Sequence, residues 1–155
     1  AGLCALARLL AILAGEDAVD AAAPCTTGTH AETCGRPTIE QAFEVMTDLE
    51  APVQARLLER LAVHPKVRLV GPSSAAVADR VATVSFIHES RDPREIVAAA
   101  HAAGIGIRHG HMYAHRLCTA MGIEPDPGVV RVSAVHYNSV EEVDRLMAAL
   151  DPVLA

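Results

Sequence analysis

The chain has 155 residues, enough for one domain to bury a core without disulfide or metal staples. Its formal charge is −6, and it has no Trp, two Tyr and two Phe. That composition lacks the basic clusters and stacking rings a nucleic-acid surface needs, and so excludes a nucleic-acid partner. Four cysteines (Cys4, Cys25, Cys34, Cys118) occur with no C-x-x-C pair, which reads as reduced thiols in a cytoplasmic protein rather than a secreted framework.

The opening AGLCALARLLAILAG is apolar but only fifteen residues long and interrupted by Arg8. It is too short to span a bilayer and lacks the basic leader of a signal peptide, which leaves no expected membrane partner. Leu3, Leu6, Leu9, Leu10, Ile12 and Leu13 leave it almost no polar face, the pattern of a helix buried in a larger body. The start therefore reads as a cut through a longer protein. Residues 16–37 show no sustained period and read as a connector; Cys25, His30 and Cys34 within it match no common zinc spacing.

From Thr38 the signals sharpen. Thr38-x-x-Gln41 is a capping-box pattern, and Ile39, Ala42, Phe43, Met46, Leu49, Val53, Leu57 and Leu61 recur at helical spacing. A long amphipathic helix with a kink at Pro52 is predicted. Val67–Val70 and Arg80–Ile87 read as two strands. Asp92-Pro93-Arg94-Glu95 opens a helix with Pro at the first helical position, and Gly104 closes it. A short strand follows at Ile105–Arg108, then a helix from Tyr113 to Met121, a turn at Pro125–Gly128 and a strand at Val129–Ala134. Ser139-x-x-Glu142 is a second capping box, opening a last helix whose Val143, Leu146, Met147 and Leu150 share a face. These elements predict an α/β (α+β) two-layer sandwich, its small antiparallel or mixed sheet covered by helices. The boundaries read as 1–37 for a remnant helix with its connector, and 38–155 for the small domain.

Two stretches carry candidate chemistry. In IRHGHMYAHRL, His109, His111 and His115 form H-x-H-x-x-x-H, a spacing compatible with a metal. Arg108 and Arg116 flank it, however, and two fixed positive charges oppose a divalent cation, so no metal is assigned. The same strand-to-helix turn presents backbone N–H groups to an anion. In GVVRVS, Arg131 stands between apolar neighbours, where a guanidinium is costly unless it meets a carboxylate or phosphate. Its partner is either an anionic ligand or an Asp or Glu of a neighbouring element. His136-Tyr137-Asn138 reads as cap and turn chemistry before the last helix.

Taken together, VATVSF, AAGIGIRHGHMYAHRL and GVVRVSAVHYNSVEEVDRLMAAL resemble the C-terminal small domain of class V aminotransferases, the family that includes cysteine desulfurases. The sharpest part is G-x-x-R-x-S-x-x-x-Y-N-S-x-E-E-V-D. The resemblance covers residues 38–152, and residues 1–15 look like the closing helix of that family's large domain. The HMYA and VHYNS forms look most like the cysteine desulfurase-like subgroup.

The resemblance implies a fold-type I pyridoxal-phosphate enzyme, a homodimer or a chain paired with its missing large domain, that acts on an amino-acid substrate. The large domain, not this chain, would hold the cofactor, and this domain would close over the substrate. Arg131 would bind the substrate carboxylate, with Arg108, His111 and Tyr113 beside it. Three departures accompany the resemblance. The only lysine, Lys66, lies in a turn after His64-Pro65, where nothing desolvates its amine as Schiff-base chemistry requires, so no catalytic residue is assigned and the chain alone is expected to be inactive. Where desulfurases carry a nucleophilic cysteine this sequence has Tyr113, a phenol with a pKa of about 10 and a poor sulfur acceptor. Cys118 reads as a small core residue. Third, residues 16–37 match the family poorly. The alternative from another class is a free-standing α/β module that binds an anionic metabolite or a partner large-domain chain.

Overall fold

A computed structural model describes residues 2–15, 35–76 and 79–155. The expected connector, with Cys25, His30 and Cys34, falls on residues 16–37, of which 16–34 lie outside the described residues. The chain divides into two compact units, Ala1–Leu49 and Glu50–Ala155.

In the first unit, helix α1 (Gly2–Leu13) and the turn after it bury Leu10 and Ala14 against Ala42 from the first part of helix α2 (Arg36–Ala62). Leu6, Leu9 and Ile12 stay exposed, so α1 buries one stripe within this unit. Helix α2 starts two residues before Thr38, with Pro37 in its first turn, where a missing N–H costs nothing. Phe43 and Leu49, expected on the buried face, are exposed. The helix runs unbroken through Pro52.

In the second unit, Val53, Leu57, Leu58 and Leu61 carry the apolar stripe of α2 into the main core. The sheet contains β1 (Val67–Val70), β2 (Thr83–His88), β3 (Arg108–Gly110) and β4 (Val129–Ser133), in the order β1-β2-β4-β3. Every neighbouring pair is antiparallel. Val84 and Phe86 from β2 and Val130 and Val132 from β4 face the core, where they meet Ile96 and Ala100 of α3 (Pro93–Ala102) and Leu146, Met147 and Leu150 of α5 (Val140–Leu154). This is the expected two-layer sandwich with an antiparallel sheet.

Local chemistry sets the helix ends. Asp92 accepts a hydrogen bond from the Arg94 N–H at 2.8 Å, which holds the Asp92 carboxyl below its ordinary range, and Pro93 opens α3. Ser139 and Glu142 close a full capping box at the start of α5. Arg56 reaches Asp144 at 2.8 Å, and Asp151 receives Arg60 at 2.8 Å and His64 at 3.0 Å, pinning the end of α2 to α5.

Three boundaries differ from expectation. Strand β2 begins at Thr83 rather than Arg80, because the Arg80 guanidinium donates to the carbonyls of Pro72 and Thr83 and holds a turn there. Strand β3 begins at Arg108, not Ile105. The Ile105 N–H donates to the Ala100 carbonyl and the His101 ring bonds the Ile107 carbonyl, so this apolar run is tied to the end of α3 instead of joining the ladder. Helix α4 is His115–Ala120, shorter than Tyr113–Met121, because Met112 (φ 49°) and Tyr113 (φ 63°) adopt left-handed backbone that no α-helix continues.

Candidate functional site

Alternation along β4 sends Val130 and Val132 into the core, and so places Val129, Arg131 and Ser133 on the opposite face. Register then aligns a row across all four strands: Val70 opposes Ser85, Ser85 opposes Arg131, and Arg131 opposes Arg108. Over this face lies the α4 segment, whose buried Cys118 and Ile123 pack on Val129 with Val70 and Ile87 at the edge. Gly128, at φ +75°, admits the close approach that seats β3 beside β4. A Cβ there would lie 2.2 Å from the carbonyl carbon of Gly110.

Between the row and α4 is a cavity of about 110 Å³. Ser85, His111 and Arg131 supply its polar lining, and Val70, Leu117 and Val129 are among its apolar walls. Two nitrogens there, Arg131 Nε and His111 Nδ1, are sealed from solvent and have no hydrogen-bond partner. Buried polar atoms are nearly always partnered, and leaving one unmade costs roughly 1–3 kcal/mol. Both atoms line the same cavity. No described strand contains Asp or Glu, and none of the ion pairs among the described residues involves a strand residue. The neighbouring-element carboxylate that could have neutralised Arg131 is thus not found among them.

Of the four residues singled out from sequence, His111 and Arg131 line the same cavity. Arg108 sits beside Arg131 in register and is exposed. Tyr113 is 102 % exposed and does not line the cavity. It occupies one of the two left-handed positions of a tight turn closed by the Ala114 N–H on the His111 carbonyl at 2.7 Å, with positive φ at both central residues as a type I′ turn requires. Ser85 is a site residue that sequence reasoning misses. Its signal is its place between Val84 and Phe86 in an alternating strand, but only the cross-strand register brings it to Arg131.

The histidine triplet is split. His111 and His115 meet edge to face at 5.8 Å between ring centroids. His109 faces the other side of the sheet, with its Nδ1 3.3 Å from the Pro127 carbonyl. Among the described residues no group of three His, Cys, Asp or Glu side chains could hold a metal. Lys66 is exposed and donates to the Ala155 carbonyl at 3.1 Å, and the cavity contains no lysine. The described residues therefore do not fit a covalent anchor for pyridoxal phosphate. Before α5, Asn138 accepts from the Val135 N–H and donates to Glu142. That hydrogen bond, with the Ser139 N–H, holds the Glu142 carboxyl below its ordinary range.

A family model described as aminotransferase class-V matches residues 38–146. The aminotransferase-like protein FGM3 of Gibberella zeae is 41% identical over 116 residues, 74% of this chain and 29% of that protein. A cysteine desulfurase of Salmonella agona is 33% identical over 103 residues, 66% of this chain and 23% of that protein. Among solved structures, the apo cysteine desulfurase of Thermococcus onnurineus superposes with a TM-score of 0.63 at 22% identity, covering 81% of this chain and 31% of that one. The cysteine desulfurase CsdA of Escherichia coli gives 0.59 at 21%, covering 83% and 31%. The chain thus spans less than a third of the length of each of these proteins. At these identities the structural likenesses establish the fold. No described helix is long and apolar enough to cross a membrane.

Proposed function

Because this chain belongs to the aminotransferase class-V family, we propose that it is the part of a pyridoxal-phosphate enzyme that grips the carboxylate of an amino-acid substrate and closes over it. The observation that carries this reading is the pair of sealed, unpartnered nitrogens, Arg131 Nε and His111 Nδ1, in one cavity. A guanidinium offers a planar fork that matches a carboxylate in two parallel hydrogen bonds. The apolar walls keep water from competing for those bonds, which strengthens them. His111 adds a second polar contact, donor or acceptor according to its tautomer.

In that family the cofactor supplies the electron sink for chemistry at the substrate's α-carbon. The described residues offer the cofactor no covalent anchor, so they serve to bind the substrate, orient it and exclude water. Tyr113, in place of a thiol, supports a reaction other than sulfur removal through this turn.

The test uses the chain assembled with a cofactor-bearing large domain. Arg131→Lys keeps the charge but loses the fork, and is expected to weaken amino-acid binding by about 1–3 kcal/mol while cofactor binding holds. Arg131→Ala weakens it further. If Arg131→Ala left the Michaelis constant and turnover untouched and lowered only the melting temperature, the carboxylate assignment would be wrong. Carboxylate binding by the chain alone, with no turnover in any such assembly, would favour the free-standing binding module.

A further inference from the structure

Arg131 does not stand alone on its face of the sheet. Directly across the ladder, on edge strand β3, is Arg108, and one row further along the same face is Arg68 of β1, two residues from Val70. None of the three makes an ion pair with a described residue, and no described strand residue on that face is acidic. The chain as a whole has 19 acidic and 13 basic residues, so bare arginines facing one another here run against its overall balance. Like charges directly opposed across a ladder are destabilising. Five other arginines of this chain show the usual resolution: Arg36, Arg56, Arg60, Arg91 and Arg94 all meet carboxylates.

We propose that the site takes a substrate with two anionic groups, an acidic amino acid of the aspartate or glutamate class or its 2-oxo acid, with one carboxylate on Arg131 inside the cavity and the second on Arg108, which opposes it across the ladder. This deepens the carboxylate-anchor reading and rests on it. Side chains of directly opposed residues leave the backbone about 5 Å apart, a span that a dicarboxylate of about four or five carbons bridges. The apolar walls at Leu117 and Val129 suit the methylene groups between its charges. Arg131 is half-buried, with its Nε sealed, and dominates affinity. Arg108 is solvated and dominates selection between one and two charges.

The experiment titrates the 155-residue chain with succinate and, separately, with butyrate at pH 7.5, where both are ionised, following the amide resonances of residues around Arg131 by NMR. The two acids have the same carbon count and differ in the second carboxylate. Succinate is expected to bind about three- to fivefold tighter, the upper range for an exposed charge pair. Arg108→Gln should bring that ratio to about one, and Arg131→Gln should abolish saturable binding of both acids. Thermal melts of both variants confirm that they fold. Saturable binding with no preference for succinate, or a preference that persists in Arg108→Gln, overturns the two-anion inference while leaving the carboxylate anchor standing. Binding of neither acid by the unaltered chain overturns both.

Discussion

Replacing Arg131 by Met should make the chain more stable and unable to bind a carboxylate. The methionine retains an unbranched stem of similar reach and removes the charged head. What disappears is the sealed Nε, which has no hydrogen-bond partner and costs roughly 1–3 kcal/mol, together with the like charge that opposes Arg108 across the ladder. The apolar walls of the cavity accept the thioether without leaving a new polar atom unpartnered. At about 4 °C per kcal/mol for a domain of this size, the melting temperature should rise by about 4–12 °C. Circular dichroism against temperature and urea suits a chain without tryptophan; the urea midpoint should rise with no change of slope. Stability gained where function is lost is the signature of a binding site kept under strain. A fall in stability of 1 kcal/mol or more would show that Arg131 holds the fold together, and would refute the reasoning from its unpartnered nitrogen.

Other consequences follow from particular contacts. The Glu142 carboxyl is held below its ordinary value of 4.5 by Asn138 and Ser139, so its contribution is complete above about pH 4.5 and lost as pH falls through the lower folded value. Glu142→Gln should flatten that limb of the stability–pH curve, and an unchanged acid limb would count against the capping box. Gly128→Ala places a methyl on the Gly110 backbone at a left-handed position and should cost about 3 kcal/mol or more; a melt within a degree of the unaltered chain would contradict this close approach. Lys66 should form no borohydride-trappable adduct with low concentrations of pyridoxal phosphate, since its amine is exposed and already bonded to the Ala155 carbonyl. Mass spectrometry locating a stoichiometric adduct there would reverse that.

Legibility follows the range of the interaction involved. The start of α3 at Asp92-Pro93 and the box at Ser139 and Glu142 are written in three or four adjacent residues and are readable directly. The extent of β3 is not, because Ile105 and Ile107 look like strand residues and only their bonds to α3 keep them out of the ladder. Sequence pattern overextends α4 because nothing in Met112-Tyr113 announces positive φ; that backbone is strained for such residues, and they are rarely found in it. Phe43 and Leu49 sit at helical spacing yet remain exposed, since periodicity marks a face and not what covers it. Arg131 and His111 can be nominated from sequence by their apolar setting and turn position. Their shared cavity, Ser85 within it and Arg108 across from Arg131 depend on strand register, which couples residues more than 20 positions apart.

The most direct test observes the Arg131 side chain itself. In ¹⁵N-labelled protein, the Arg131 Nε–Hε resonance, assigned by its loss in Arg131→Lys, should be resolved because the atom is sealed from solvent. Adding succinate should shift it downfield in a saturable way as the nitrogen gains its hydrogen bond, with the same dissociation constant as the backbone amides of β4. A resonance that stays fixed while other sites respond to the ligand would mean that carboxylates bind elsewhere, and the account of Arg131 as the anchor would be wrong.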